Sequence, residues 1–303
     1  MNGGTIRPHS ASSSLGELPF IIVLDWDGTI AGRVDYQSQR FALHQYYKKY
    51  GLKFKGDSAT KIPKAFYPDS YLIRPGFSKF IEDITNYYNG NVYFFIYTAS
   101  ERTWAYKEIQ WVEKTHNLKF QRPIFTRDDC KTDASGSYRK SIHHIFPRML
   151  RSIGKGHLSK HDKEQIMQNK LLIIDNNTVY NDFQDHLLIC PHYNYMVFEN
   201  LLEEIPISFL KHPQVSQYIY NLVNLGLLCP FFGSKYDLNE QMFKKYEWLA
   251  IKCKAITEEN KFYAKDTFFK YLKKIIIKNN LKVFSPNVIK QIQKAIWTKA
   301  ETK

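Results

Sequence analysis

The sequence predicts an α/β fold in which a parallel β-sheet carries helices on both faces and a helical extension follows at the C-terminus. Short runs of apolar and β-branched residues at 20–24, 92–97 and 171–174 have the composition of strands that are buried on both faces. Amphipathic stretches separate these runs, and such strand–helix alternation indicates parallel strands joined by crossover helices. From about residue 200 the pattern becomes helical.

Individual elements follow from local signals. Apolar residues recur at helical spacing from Phe77 and stop at Asn89-Gly90, where a helix should end. Ser100 has the position of an N-cap for the next helix, and Ser285-Pro286 suits the start of the last one. The stretch 127–170 is mostly polar and is expected to be an insertion or a set of irregular excursions. The predicted elements in chain order are strands at 20–24, 92–97, 123–126, 171–174 and 187–190, and helices that begin near residues 38, 77, 104, 242, 262 and 286.

Composition divides the chain into three regions. Residues 1–18 are polar and rich in Ser and Gly, and they are expected to be disordered. Residues 19–215 form the α/β domain, and residues 216–303 form a lysine-rich helical C-terminal region. The N-terminus lacks the basic start and apolar core of a signal peptide, and the longest apolar runs are far too short to span a bilayer. We therefore expect an intracellular protein, cytoplasmic or nuclear, with no membrane partner.

The charge is strongly positive, with 43 Lys and Arg against 29 Asp and Glu. Residues 234–303 hold sixteen Lys, no Arg and seven acidic residues, so this stretch carries nine of the fourteen net positive charges. A charge of this size indicates polyanionic partners or anionic substrates. Two interpretations stay open: the tail binds a polyanion such as nucleic acid, or its apolar face packs on the domain and its lysines are solvated.

Polar side chains follow three of the predicted strands at the point where each strand ends. Asp25 and Asp27 follow the first strand, Thr98 follows the second, and Asp175 and Asn176 follow the strand at 171–174. In a parallel sheet the ligand lies beyond the carboxyl ends of the strands. Three polar clusters on one edge of a sheet therefore predict a functional site there.

The spacing of the first cluster favours phosphoryl chemistry. Asp25 and Asp27 are two residues apart, so the end of the strand is able to aim both carboxylates at one small volume. One carboxylate would attack phosphorus while the other handles the proton of the leaving group. Gly28 permits a turn that a Cβ would obstruct, and the Thr29 hydroxyl suits a hydrogen bond that fixes the loop.

Such a site needs positive charge. Two carboxylates this close repel each other, so a cation is required to keep both ionised. Mg²⁺ prefers oxygen ligands, and Asp175 and Asn176 offer further oxygens from a neighbouring strand end. The Thr98 hydroxyl suits a phosphoryl oxygen. A lysine is still needed to offset the charge on the phosphoryl oxygens, and Lys140 is our choice among several candidates.

Three segments resemble motifs of the haloacid dehalogenase superfamily. Asp25-Trp26-Asp27-Gly28-Thr29 resembles its first motif, Tyr97-Thr98-Ala99-Ser100 its second, and Ile173-Ile174-Asp175-Asn176 its fourth. The resemblance implies a Rossmannoid parallel sheet and a Mg²⁺-dependent phosphatase that acts through an aspartyl-phosphate.

Within that superfamily the chain is most similar to the FCP/SCP-type phosphatases of the RNA polymerase II C-terminal domain, whose relatives include the mitochondrial Tim50 proteins. Arg74-Pro75-Gly76-Phe77, the segment 125–130 and Tyr138-Arg139-Lys140 carry this resemblance, which covers about residues 19–210. The lysine-rich tail has no counterpart in the compact enzymes of this group.

The resemblance also implies a role for each site residue. Asp25 would form the aspartyl-phosphate, and Asp27 would protonate the leaving oxygen and then activate water. Thr98 and Lys140 would hold the phosphoryl group. The implied Mg²⁺ ligands are Asp25, the backbone carbonyl of Asp27, and Asn176 or Asp175.

Three functions are compatible with these features. The first is a phosphatase on phosphorylated Ser or Thr in a protein, such as a polymerase tail. The second is a phosphatase on nucleic-acid ends or nucleotides, which the positive charge favours. The third is a Tim50-like binding scaffold with weak catalysis. Trp26 and Gly28 stand where the FCP/SCP enzymes usually have Leu and Glu, and Gly is the commoner form in the wider superfamily.

Overall fold

The structure is a computed structural model that describes residues 18–49, 62–197 and 255–301. The segment predicted to be disordered, apart from Leu18, and the predicted helix near residue 242, up to residue 254, lie outside the described residues. Within the described ranges no helix is both long and apolar enough to cross a membrane.

The strands are β1 (Phe20–Leu24), β2 (Val92–Ile96), β3 (Lys131–Thr132), β4 (Tyr138–Arg139), β5 (Leu171–Asp175) and β6 (Leu187–Ile189). The helices are α1 (Asp35–Lys49), α2 (Phe77–Tyr87), α3 (Arg102–His116), α4 (Ile142–Ser152), α5 (Lys160–Asn169), α6 (255–263), α7 (Phe268–Lys278) and α8 (Pro286–Glu301). The last helix begins at Pro286 as predicted, whereas the helix expected near residue 262 begins at Phe268.

Four of the strands form a parallel sheet in the order β2-β1-β5-β6. β1 lies inside the sheet, with Ile22 opposite Phe94 on one side and Leu172 on the other. Every residue of β1 is buried, as expected for a strand that is covered on both faces. The predicted α/β fold with a parallel sheet is confirmed.

Alternate side chains of β1 enter two separate cores. Phe20, Ile22 and Leu24 belong to a core that they share with α2, α3, α7 and α8. Ile21 and Val23 belong to a core that they share with α4 and α5. Because successive side chains of a strand point to opposite faces, helices cover both faces of the sheet, as the sequence predicts.

The N-cap prediction for α3 was wrong. The N-cap is Glu101, whose carboxylate accepts hydrogen bonds from the backbone N–H groups of Thr103 and Trp104. A carboxylate satisfies two of the free amides at the helix start and suits the positive end of the helix dipole. The Ser100 hydroxyl donates to Asp27 instead.

Two further regions differ from the sequence interpretation. The predicted strand at 123–126 is reduced to one parallel bridge between Phe125 and Tyr97, since Pro123 has no N–H to donate. The stretch 127–170 is not irregular, because it contains the β3–β4 hairpin and helices α4 and α5. Polar flanks and an internal proline hide α4 in the sequence, although its apolar residues have helical spacing. The buried face of α4 consists of Ile142, Ile145, Phe146, Met149 and Leu150.

The C-terminal helices pack on the sheet and its helices. α7 lies against α2, where the Phe269 ring is 4.9 Å from that of Phe77 and 5.1 Å from that of Phe80. α8 covers β6, and the Gln293 side chain exchanges two hydrogen bonds with the backbone of Ile189 at 2.7 and 2.8 Å. Contacts of this kind protect the edge of a sheet.

Candidate active site

The residues predicted to be functional meet at the carboxyl edge of the sheet. Asp25 directly follows β1, Thr98 lies two residues after β2, and Asp175 is the last residue of β5. β1 pairs with both β2 and β5, so these three strand ends are neighbours. All three side chains are buried. Parallel pairing therefore brings together polar residues that lie far apart in the chain.

Lys140 lies between two carboxylates. Its Nζ donates to Asp25 Oδ1 at 2.6 Å and to Asp175 Oδ2 at 2.7 Å, and its side chain is only 2% exposed. The backbone N–H of Lys140 donates to the Val179 carbonyl, which anchors the segment after β4 beside the end of β5. Burial alone would lower the pKa of this lysine, but neighbouring anionic groups, Asp25 foremost, raise it well above its ordinary value. Lys140 is therefore a permanent cation in the site.

The described side chains of the site carry more negative than positive charge. Asp175 faces Asp25 across Lys140, and its Oδ1 accepts a hydrogen bond from the Asn177 backbone N–H at 2.7 Å. Burial, followed by the charge of Asp25, raises the pKa of Asp175 to about 7, while Lys140 opposes this shift. With Asp27 included, three carboxyl groups share one lysine.

Two hydroxyls hold Asp27. Thr98 Oγ1 donates to Asp27 Oδ2 at 3.0 Å, and Ser100 Oγ donates to the same oxygen at 2.6 Å. The Ser100 backbone N–H donates to Thr98 Oγ1 at 3.0 Å and so helps to orient that hydroxyl. Burial and the charge of Asp25 raise the pKa of Asp27, and the two hydroxyl contacts oppose this. This carboxyl therefore takes the protonated form more readily than an ordinary aspartate.

A tight turn sets the positions of both aspartates. The backbone N–H groups of residues 29–31 all donate to the Trp26 carbonyl, at distances of 2.9 to 3.3 Å. Gly28 has a φ of +76°, and a Cβ at this position would lie 2.7 Å from the His192 ring. The backbone conformation thus favours glycine here, where the FCP/SCP motif usually has Glu, and a larger residue would also displace the His192 ring.

Three oxygen acceptors converge beside the nucleophile candidate. Asn176 Oδ1 lies 3.1 Å from Asp25 Oδ2 and 3.2 Å from the Asp27 carbonyl oxygen. The Thr29 hydroxyl lies 3.0 Å from each of the two side-chain oxygens but has only one hydrogen to donate. Acceptors this close to one another suit a cation, since octahedral Mg²⁺ with oxygens at about 2.1 Å separates adjacent ligands by about 3 Å.

The donor set fits Mg²⁺. The proposed ligands are one carboxylate, one backbone carbonyl and one side-chain amide. They therefore do not form a cluster of three His, Cys, Asp or Glu side chains, and the described ranges contain no such cluster. Without a cation, hydrogen bonding favours the turned-over Asn176 amide, whose NH₂ would donate to those oxygens. A bound cation would instead select the orientation in which Oδ1 faces the oxygens and Nδ2 faces His192 Nδ1. Both oxygens of Asp175 already accept hydrogen bonds, from Lys140 and Asn177, which makes Asn176 the better placed of these two predicted ligands.

The site opens into a cleft of about 720 Å³. Beside the aspartates and the lysine, the residues that line it include Arg33, Arg127 and His192. Arg127 Nε donates to the Ala99 carbonyl at 2.8 Å, and its guanidinium lies 5.1 Å from the centre of the Tyr138 ring, which is 43% exposed. Cationic and aromatic side chains thus border a group of buried carboxylates.

Sequence reasoning missed three features of the site. Ser100 was assigned to a helix cap, although it lies only two residues after Thr98. His192 follows β6 as the other site residues follow their strands, so the same strand-end rule could have found it. Glu108 of α3 has no local signal: it is buried close to Trp26 and Asp27 and does not line the cleft. Burial and the charge of Asp27 raise the pKa of Glu108 well above its ordinary value, so its neutral form is favoured.

Comparison with known proteins identifies the family. The sequence profile of the NLI interacting factor-like phosphatases matches residues 20–218, which is more than half of the chain. The chain belongs to this family. The predicted phosphatase activity and the resemblance to FCP/SCP-type enzymes are thereby confirmed.

Two similar solved structures are both of Fcp1. One is the fission yeast RNA polymerase II CTD phosphatase Fcp1, a point variant bound to beryllium fluoride, with 17% identity and a TM-score of 0.42 over 94% of this chain and 67% of that one. The other is Fcp1 described as an essential RNA polymerase II CTD phosphatase, with 18% identity and a TM-score of 0.41 over 87% of this chain and 62% of that one. This chain thus spans about two thirds of the length of the two structures. No curated protein matches the chain significantly.

Proposed function

We propose that this phosphatase is a Mg²⁺-dependent phosphomonoester hydrolase that forms an aspartyl-phosphate on Asp25. The position of the Asp25 carboxylate supports this most. One oxygen accepts a hydrogen bond from the Lys140 ammonium and the other accepts one from the Thr29 hydroxyl, at a strand end that lines a cleft. A carboxylate fixed in one orientation loses little further freedom when it attacks phosphorus.

In the first step an oxygen of Asp25 forms a bond to phosphorus while the bond between phosphorus and the leaving oxygen breaks. Asp27 gives its proton to that leaving oxygen as the general acid. The hydrogen bonds from Thr98 and Ser100 support this role, because they hold the Asp27 carboxyl beside Asp25. Lys140 offsets negative charge on the phosphoryl oxygens.

In the second step Asp27, now a carboxylate, takes a proton from water, whose oxygen bonds to phosphorus as the bond to Asp25 breaks. Inorganic phosphate leaves, and both aspartates return to their starting protonation. Thr98 would also donate to the phosphoryl group. Since Thr98 donates to Asp27, this requires its hydroxyl to turn, and Ser100 then keeps Asp27 in place.

Mg²⁺ would be held by Asp25, the carbonyl of Asp27 and Asn176. When bound, the ion supplies the positive charge that lets carboxylates and a phosphate group occupy the same small volume. The three carboxyl groups around Lys140 support this requirement.

We further propose that the substrate is a phosphorylated Ser or Thr in an extended protein segment, as in a polymerase C-terminal domain, and that the protein works inside the cell. Family membership and the family-like motifs support a phosphoprotein. Arg127 and Tyr138 beside the cleft support it as well, since a guanidinium suits phosphate or acidic side chains and an exposed ring suits an extended backbone.

Phosphorylated nucleic-acid ends are the second candidate, favoured by the net charge of +14. A Tim50-like scaffold without turnover has less support. Lys140 contacts Asp25, and the hydroxyls of Thr98 and Ser100 contact Asp27. A scaffold without turnover has no need of these contacts.

The test compares the wild-type chain with Asp25→Asn in the presence of Mg²⁺. The substrates are a small aryl phosphate, Ser/Thr phosphopeptides, and oligonucleotides phosphorylated at the 3′ or 5′ end. Wild type should hydrolyse the aryl phosphate and favour phosphopeptides, while Asp25→Asn should lose turnover by orders of magnitude and keep its fold, because an amide is no nucleophile. Turnover near the wild-type rate in a folded Asp25→Asn protein would remove Asp25 from its role, and a preference for oligonucleotides would select the second candidate.

A further inference from the structure

A partly buried ion pair joins the C-terminal helices to the loop that carries the nucleophile candidate. Asp266, between α6 and α7, accepts hydrogen bonds from Arg74 Nε and Nη2, both at 2.9 Å, and the Arg74 side chain is fully buried. The third nitrogen of the same guanidinium, Nη1, donates to the backbone carbonyl of Thr29 at 3.3 Å. Arg74 therefore contacts the C-terminal region with one side of its fork and the catalytic loop with the other.

Aromatic rings surround this guanidinium. The Arg74 Cζ lies 4.7 Å from the centre of the Phe268 ring, 5.3 Å from that of Tyr193 and 5.9 Å from that of Phe269. Two of these rings belong to α7. A bidentate arginine–carboxylate pair beside these rings has one favourable geometry, because the guanidinium is fully buried and would lose its charged partner in a shift. Asp266 is 18% exposed and also accepts a hydrogen bond from the Phe268 backbone N–H at 2.9 Å, which fixes it at the start of α7.

The backbone around Arg74 is joined to the same loop. The Arg74 N–H donates to the Ile30 carbonyl at 2.8 Å, and the Gly32 N–H donates to the Leu72 carbonyl at 2.8 Å. The loop after β1 and the segment before α2 thus form one unit. A displacement of the Arg74 side chain or backbone would act on residues 29–32.

Thr29 connects this unit to the reacting groups. Its hydroxyl lies 3.0 Å from Asp25 Oδ2 and 3.0 Å from Asn176 Oδ1, and it accepts a hydrogen bond from the Asn176 backbone N–H at 3.0 Å. A shift of the Thr29 backbone would therefore move a partner of the nucleophile candidate and of a metal-ligand candidate together.

We propose that Asp266 is a positioning residue for phosphoryl transfer, which it supports by holding Arg74 against the carbonyl of Thr29 and thereby fixing Asp25. The proposal rests on the role proposed above for Asp25. The family match ends at residue 218, so Asp266 would be a determinant of the reaction outside the matched part of the chain. Misplacement of a reacting group by about 1 Å can cost about 10²-fold in rate, so a contact of this kind is worth measuring by kinetics.

The test uses the full chain with Asp266→Asn, and Asp83→Asn as a matched control. Asp83 of α2 accepts a hydrogen bond from Lys273 of α7 at 2.6 Å, so this pair also ties α7 to the domain but has no hydrogen bond to the catalytic loop. For each variant, kcat and KM on a small aryl phosphate, thermal stability, and hydrogen exchange of peptides that cover residues 25–32 are measured.

Both variants should lose some stability. Only Asp266→Asn should lower kcat, by about tenfold or more, with KM within about twofold of wild type. Only this variant should speed exchange in residues 25–32. The charge-conserving Asp266→Glu should recover part of kcat, and it serves as the test variant if Asp266→Asn does not fold.

Two results would overturn the proposal. One is unchanged kcat and unchanged loop exchange in a folded Asp266 variant. The other is an equal loss of kcat in Asp83→Asn, which would reduce the ion pair to general docking of the helix. If the wild-type chain shows no turnover that depends on Asp25, the proposed function fails, and the exchange measurement still decides whether Asp266 orders the loop.

Discussion

Lys140 and Arg74 are both buried cations that tie distant parts of the chain together, but the charges around them differ. Lys140 lies between the carboxylates of Asp25 and Asp175, with a third carboxyl group close by. Among the described residues, Arg74 faces one carboxylate, that of Asp266, together with a backbone carbonyl and aromatic rings. The first site keeps an excess of negative charge, whereas the second is balanced.

This difference separates a site prepared for chemistry from a contact that completes the fold. A balanced buried pair has its hydrogen-bonding capacity used within the protein and attracts no further ion. A surplus of buried carboxylates costs stability, shifts pKa values and attracts a divalent cation. Stability is commonly sacrificed at functional sites for this reason. We therefore expect changes at the two cations to have different signatures.

The largest effect is expected from Lys140→Gln. Loss of the cation next to the phosphoryl group should lower kcat on a small aryl phosphate by about 10³-fold.

The same variant should change how stability depends on pH. Burial and Asp25 already raise the pKa of Asp175 to about 7, so the folded protein holds a proton that the unfolded chain releases, and stability falls as pH rises towards and through 7. Without Lys140 this pKa rises further, so the metal-free variant should be destabilised more at pH 8 than at pH 5.

Thermal denaturation in EDTA at the two pH values measures this, with Arg74→Gln as the comparison. In Arg74→Gln the carboxylate of Asp266 loses its partner but has no second carboxylate beside it in the described part of the chain. The loss of stability of this variant should therefore differ much less between pH 5 and pH 8. Equal pH dependence in the two variants would refute the contrast in charge balance.

Asp27→Asn should come next in size. We expect losses of about 10²- to 10⁴-fold on alkyl phosphates such as phosphoserine peptides, and a smaller loss of the burst rate on an activated aryl phosphate. A good leaving group hardly needs an acid in the first step, although hydrolysis of the intermediate would still be slow. Burst kinetics on both substrate types measure the difference, and equal losses of burst rate would argue against the acid role.

Asn176→Ala should act through the metal. The Mg²⁺ concentration needed for half-maximal activity should rise by about 10- to 100-fold, the range found even for outer partners of metal ligands. The increase in Tm that Mg²⁺ gives the wild-type chain should shrink as well. Asn177→Ala is the control, since this residue contacts Asp175 through its backbone N–H, which the change retains. Unchanged Mg²⁺ dependence in Asn176→Ala would exclude the proposed ligand set.

The smallest effect is expected from the outer surface of α7, the helix that packs beside the Arg74 ion pair. Lys270, Lys274 and Lys278 are exposed, while the apolar face of α7 is buried. If the C-terminal region binds a polyanion, changing all three to Gln should reduce the slope of log affinity against log salt for an oligonucleotide by up to about 2–3. Activity on a small phosphate should be unchanged. Absence of salt-dependent binding in the wild-type chain would leave these helices with a structural and positioning role alone.

The sequence by itself determined the four strands of the sheet, their parallel arrangement and the edge that carries the candidate site, although it also predicted a fifth strand at 123–126 that is reduced to one bridge. These follow from local signals, because buried strands are apolar and β-branched and the polar break after each strand is visible at Asp25, Thr98 and Asp175. Prediction from sequence failed where one residue was compatible with two local roles. Ser100 suits either a cap or a hydrogen bond to Asp27, and only the Glu101 side chain, which takes the cap, decides between them.

The tertiary structure decided which distant residues meet. Lys140 was one of several lysines in the sequence, and its contact with two carboxylates arises from the path of the chain after β4. Arg74 and Asp266 are 192 residues apart, and although Arg74 lies in a segment that resembles a family motif, no sequence pattern pairs it with Asp266. Their pairing depends on how α7 packs on α2, and packing depends on the shapes of both surfaces at once, whereas a sequence pattern reports only one of them.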